Sequence, residues 1–118
     1  SLAGDPKDQT HWLIGVLREP ASRGGSLALH DKVRVGDVIE VSPARNAFSM
    51  SSNATHSSLL AGGIGITPLK SMAHELVATG ASFELHYCAR GPGNVAFANE
   101  LKALVPPERL HFHFDDGD

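Results

Sequence analysis

The run Gly62-Gly63-Ile64-Gly65-Ile66-Thr67-Pro68 constrains this chain more than any other feature. Three glycines within four positions, followed one residue later by Thr-Pro, suit a tight turn that opens directly into a helix. Ser58-Leu59-Leu60-Ala61 before it reads as a short buried strand. After it, Leu69, Met72, Ala73, Leu76 and Val77 recur at offsets of three and four, one apolar helix face, and Gly80 stands where a C-terminal cap belongs. On this reading Thr67 N-caps the helix and Pro68 takes its first position, where a missing N–H costs nothing. Phe83, Leu85 and Tyr87 then alternate with Glu84, His86 and Cys88 as a strand. Phe97, Leu101 and Leu104 suggest a second helix stopped by Pro106-Pro107, and Leu110, Phe112 and Phe114 a third strand. The second half is therefore predicted as βαβαβ, the front of an open α/β parallel sheet.

The first half has a different texture. Trp12 to Leu17 is a run of β-formers and reads as a strand. Ser26, after Arg23-Gly24-Gly25, is suited to N-cap a short helix reaching about Asp31. Val33, Val35 and Val38 to Val41 read as extended segments around a turn at Gly36-Asp37. Ser49 to Ser58 is polar and reads as a linker, so a domain boundary is expected near residue 50.

At 118 residues the chain has the length of one modest domain, small for handling two nucleotide-sized ligands. It opens on Ser1 with neither an initiator Met nor a signal-like start, so it is expected to begin mid-protein. A net charge of −3, with both signs interspersed, excludes a basic nucleic-acid face and a polybasic membrane anchor. The apolar runs are too short and too broken by glycine to span a bilayer. A single cysteine, Cys88, excludes an internal disulfide framework and a four-cysteine iron–sulfur site in these residues, and is compatible with the cytoplasm.

Any anion must therefore be bound locally. Gly62, Gly63 and Gly65 at a helix N-terminus offer N–H donors, close backbone approach and a favourable dipole to a phosphate. The turn lacks the Gly-Lys-Ser/Thr ending of a Walker loop, and Pro68 replaces the last glycine of the usual dinucleotide fingerprint, which disfavours a kinase or an ordinary dehydrogenase. The alternative is that these glycines only permit the turn. Arg23-Gly24-Gly25-Ser26 is a second candidate loop, and two phosphate-bearing ligands, one per half, would account for both.

In order and spacing, Ser1-Leu2, Arg23-Gly24-Gly25-Ser26, Gly62 to Pro68, and Tyr87-Cys88-Ala89-Arg90 with Phe97 resemble the phthalate dioxygenase reductase and vanillate O-demethylase oxidoreductase family of the ferredoxin reductase superfamily. The resemblance runs through the whole chain. It implies that residues 1–50 are the C-terminal part of a flavin-binding β-barrel and residues 51–118 the N-terminal part of an NAD-binding α/β domain. Ser1 and Leu2 would end the family's Arg-x-Tyr-Ser flavin motif. Gly24, Gly25 and Ser26 would hold the FMN phosphate, with Arg23 adding charge. Gly62, Gly63, Ile64, Gly65, Thr67 and Pro68 would line the nicotinamide and pyrophosphate site, Thr67 acting closest to the flavin, and Arg90 would lie near the adenosine end. The cofactors implied are FMN, with NADH or NADPH as hydride donor, and a 2Fe–2S centre in a C-terminal domain beyond Asp118. The implied partner is an oxygenase component acting on an aromatic substrate. An FAD-containing ferredoxin–NADP or flavohaem-type reductase is the alternative within the superfamily, and a non-catalytic nucleotide-binding module the alternative outside it.

Other polar residues read more simply. His111 and His113 project to one side of a strand without a further Cys/His pair at zinc-finger spacing, so no metal site is expected. Cys88 is expected to pack in its strand, Asp115, Asp116 and Asp118 to end a strand, and Trp12 and the phenylalanines to fill core.

Overall fold

A computed structural model describes residues 2–19, 21, 23–42 and 55–115, and the polypeptide divides into two compact units. One unit combines residues 1–15 with residues 50–118; the other is residues 16–49. The expected boundary near residue 50 falls outside the described residues.

The larger unit carries the sheet. Strand β1 (Ser57–Gly62), strand β2 (Phe83–Ala89) and strand β3 (Leu110–Phe114) are parallel and lie in the order β1-β2-β3. Helix α2 (Ile66–Thr79) connects the first pair and helix α3 (Ala98–Leu104) the second; helix α1 (Gly25–Asp31) belongs to the smaller unit. The βαβαβ expectation is met, and the sheet is open. Its period of two explains the packing: Leu59 and Ala61 of β1 and Phe83, Leu85, Tyr87 and Ala89 of β2 share one face. There they meet Ile66, Leu69, Met72, Ala73 and Leu76 of α2, and Leu101 and Val105 at the end of α3. Helix α2 stops at Gly80, whose left-handed backbone (φ 70) lets its N–H and that of Ala81 close on the carbonyls of Val77 and Leu76.

Tyr87 is fully buried, and its hydroxyl accepts a 3.0 Å hydrogen bond from the Ala96 N–H, pinning the segment between β2 and α3 to the core. Burial pushes the phenol pKa up. Residues 2–15 form an irregular arm. Ala3 is buried and donates its N–H to the Leu13 carbonyl at 2.7 Å, beside a single antiparallel bridge between Leu2 and Ile14.

Here the expectations need correction. Trp12 to Leu17 makes that one bridge at Ile14 and no strand, and Trp12, expected in the core, is 55% exposed. In the smaller unit, Val33, Val35 and Val38 to Val41 form no strand among the described residues, and Val35 and Val38 are fully exposed. A strand exists only where a neighbour completes its ladder, and β-propensity cannot supply one. The Gly36-Asp37 turn does form: Arg34 donates its N–H to the Asp37 carboxylate at 2.8 Å and accepts the Asp37 N–H at 3.0 Å. A barrel is not seen among the described residues. The short helix is seen, with His30 Nε2 2.6 Å from the Val16 carbonyl and Arg18 paired to Asp31 at 2.9 Å.

Candidate functional site

The glycine turn sits at the carboxyl edge of the parallel sheet. Gly62 is the last residue of β1 and lies in register with Cys88 of β2, which lies in register with His113 of β3. Arg90, exposed just past β2, and Asp115, just past β3, share that edge. In open α/β sheets this edge is where ligands enter, because the turns there present helix N-termini outward.

The turn is built differently from the expectation. Gly63, Ile64 and Gly65 form one 3-10 turn, and α2 begins at Ile66 with Gly65 in the capping position. Thr67 and Pro68 are therefore the second and third helical residues, not the cap and the first. The reason lies in the 3-10 turn, which runs continuously into the helix: the Ile66 N–H already reaches the carbonyls of Gly63 and Ile64. Pro68 still falls within the first turn, where an N–H has no intrahelical acceptor to lose. Thr67 is buried, and its hydroxyl donates to the Ile64 carbonyl at 3.3 Å, bracing the turn from inside. Its methyl lies under Gly15 of the arm, where an added Cβ would come within 3.0 Å of both Thr67 Cγ2 and the Phe97 ring.

The glycines separate by cause. Gly63 has φ 54, a left-handed conformation that other residues resist. Gly62 (φ −119) and Gly65 (φ −60) have ordinary backbones, and a Cβ on either would meet nothing within 4 Å among the described residues. Neither the turn nor its packing requires glycine there. The first turn of α2 also carries no acidic side chain, so the positive end of its dipole is left uncompensated by the helix itself.

In the smaller unit, Gly24 (φ 120) caps α1, and Ser26 is the second helical residue rather than the cap. Its hydroxyl instead accepts the Glu19 N–H at 3.3 Å, tying the loop to the preceding segment. Among the described residues a Cβ on Gly24 or Gly25 would meet nothing within 4 Å, and Arg23 is exposed. Leu2 is half-buried in the arm of the larger unit; Ser1 lies outside the described residues.

Lys70 was not expected to matter. It is 3% exposed, donates to the Ala3 carbonyl at 3.0 Å, lies 3.4 Å from His74 Nε2 and sits 5.3 Å above the centre of the Phe97 ring. Burial lowers its pKa; Glu100 and Asp5 pull the other way. The signal was present: Ile66, Lys70 and Ala73 occupy the same helical stripe, so a lysine there had to be buried or to distort the packing. Cys88, expected to pack, is exposed on the face opposite the helices.

The chain matches no protein-family model. It is 49% identical over 117 residues to vanillate O-demethylase oxidoreductase of Pseudomonas sp. (strain HR199 / DSM 7063), covering 99% of this chain and 37% of that protein. It is 45% identical over 118 residues to the tert-butanol monooxygenase / tert-amyl alcohol desaturase reductase subunit of Aquincola tertiaricarbonis, covering 100% of this chain and 35% of that one. Phthalate dioxygenase reductase, described as a modular structure for electron transfer from pyridine nucleotides to [2Fe-2S], superposes with a TM-score of 0.93 at 41% identity. That match covers 100% of this chain and 37% of that one. The chain thus spans little more than a third of the relatives it matches.

Proposed function

The chain belongs to the oxygenase-reductase family of vanillate O-demethylase oxidoreductase and phthalate dioxygenase reductase, and from that premise we propose that it supplies parts of a flavin site and a nicotinamide-nucleotide site. The observation that supports this best is the pair Gly62 and Gly65. They lack side chains where neither backbone nor packing forbids one, as expected if a ligand's phosphates lie against the bare peptide.

On this reading the α2 N-terminus and the Gly62–Gly65 amides hold the pyrophosphate of NADH or NADPH, and Pro68 shapes the entry to the helix. Arg90 takes the adenosine end, where its charge suits either a ribose or a 2′-phosphate. Thr67 is a bracing residue, since its hydroxyl is engaged by Ile64, and it keeps the turn's amides facing outward beside the nicotinamide. Gly24, Gly25 and Ser26, with the charge of Arg23, hold the flavin phosphate, FMN in preference to FAD. Ser1 and Leu2, as the end of the family's flavin motif, contribute to flavin binding. When bound, the nicotinamide supplies a hydride, and the flavin converts that electron pair into single electrons for a 2Fe–2S centre. No side-chain acid or base is required; the residues position, neutralise phosphate and exclude water. The barrel assignment of residues 1–50, a cytoplasmic setting and an oxygenase component as final acceptor complete the proposal.

The test is a pair of titrations, NADH followed by fluorescence and FMN by flavin quenching, on the chain and on two variants. Gly62→Ala should weaken NADH at least several-fold and spare FMN; Arg23→Ala should do the reverse. If Gly62→Ala binds NADH as well as the parent, the glycine turn is only a turn and the reading fails.

A further inference from the structure

The face of the sheet turned away from α2 and α3 poses its own question. Parallel strands covered on both sides read as continuous apolar runs, yet β2 alternates strictly and presents Glu84, His86 and Cys88 on this face. Strand β3 presents His111 and His113 beside them, in register with His86 and Cys88 respectively. In sequence these are a Glu-x-His and a His-x-His, far apart; the parallel register sets them on neighbouring strands and on one side.

The side chains converge. His86 Nε2 lies 3.6 Å from a Glu84 oxygen, and the His86 and His111 rings stack with centres 4.8 Å apart. One donor atom from each of Glu84, His86 and His111 falls within 4.8 Å of the others, and all three residues are half-buried. Tetrahedral ligands on bonds of roughly 2.0–2.1 Å stand about 3.4 Å apart, so a side-chain shift of about 1 Å would close the group. Two of the three are already oriented by neighbours. The His86 Nδ1 is 2.9 Å from His113 Nε2, which leaves Nε2 as the ligating nitrogen. The Glu84 carboxylate accepts a 3.0 Å hydrogen bond from Ser58 of β1. Outer partners of this kind hold metal-binding imidazoles and carboxylates in place.

We propose that Glu84, His86 and His111 form a divalent transition-metal site that staples β2 to β3, with His113 and Ser58 as its outer supports. Two imidazoles and one carboxylate suit Zn²⁺ and its first-row neighbours rather than Mg²⁺ or Ca²⁺, which want oxygen donors. Three protein ligands leave a further position for water.

The experiment titrates the full chain with Zn²⁺ by calorimetry against Mg²⁺, and with Co²⁺ by visible absorption. Expected are one saturable Zn²⁺ equivalent, no Mg²⁺ response, tetrahedral Co²⁺ bands, and a melting temperature that rises with Zn²⁺. His86→Ala and His111→Ala should each abolish the equivalent. His113→Ala should weaken it about 10–100-fold, and His11→Ala, a histidine of the arm, should leave it unchanged. Circular dichroism establishes that each variant is folded, and His86→Gln provides a shape-conserving substitute should the alanine variant unfold. Zn²⁺ binding that is absent from the chain, or that survives in His86→Gln and His111→Ala alike, would overturn the proposal.

Discussion

The buried ammonium of Lys70 donates to the carbonyl of Ala3 at 3.0 Å, joining helix α2 to an arm residue 67 positions earlier in the chain. His74, one turn further along α2, lies 3.4 Å from that ammonium and 4.0 Å from Asp5. A positive charge is thus held in the core by one carbonyl, an aromatic face and distant acids, at a cost in desolvation.

That cost should be visible as a pH dependence. Burial, the largest cause, lowers the Lys70 pKa below its ordinary 10.5. Between the lowered value and 10.5 the unfolded chain binds more protons than the folded one, so stability rises with pH across that window and is flat in this group below it. His74 is lowered below 6.5, first by burial and then by Lys70, and adds a second rise with pH that ends near 6.5. Urea unfolding at a series of pH values reads both. Lys70→Met should remove the alkaline rise, and an unchanged alkaline slope in that variant would refute the assignment.

The glycine turn should divide under substitution. Gly63→Ala forces a side chain into a left-handed backbone (φ 54) and should destabilise by about 1 kcal/mol or more. Gly62→Ala sits in an extended strand end with open space around it, and should leave stability equal or raise it by about 0.5 kcal/mol. Chemical denaturation of the two variants gives the comparison; equal losses would mean that Gly62 is a packing glycine.

Gly15 should tolerate nothing larger. An added Cβ would lie 3.0 Å from both Thr67 Cγ2 and Phe97 Cε2, so Gly15→Ala should cost roughly 1–3 kcal/mol through overpacking. Phe97→Leu in the same background should recover part of the loss. A Gly15→Ala chain as stable as the parent would show that the arm lifts without penalty.

Tyr87→Phe should cost about 1–2 kcal/mol, since it keeps the buried ring but leaves the Ala96 N–H without its 3.0 Å acceptor. Faster amide exchange at Ala96, measured by NMR, should accompany the loss. Unchanged exchange would place the anchoring of this segment elsewhere.

Much was legible from periodicity. The strands at Phe83–Ala89 and Leu110–Phe114, helix α2 and its stop at Gly80 follow from residues near one another in sequence. The family resemblance was carried by local motifs and needed no contacts. The Val33 to Val41 segments misled because β-propensity describes a residue's fit to a sheet, not the presence of one. Trp12 misled because aromatic content implies burial only on average; it lies on an arm that spends its packing on Ala3.

By itself, then, the sequence determined the alternation of strand and helix and the position of the glycine turn, since both arise from spacings of two to four residues and from the conformational freedom of glycine. Only the tertiary structure decided the rest. It showed Gly63 in a left-handed backbone while Gly62 and Gly65 have ordinary backbones and room for a side chain among the described residues, and Thr67 bracing the turn from within. It buried Lys70 against Ala3, and it set a Glu-x-His beside a His-x-His. Those relationships depend on strand register and on contacts between residues tens of positions apart, which no local pattern encodes.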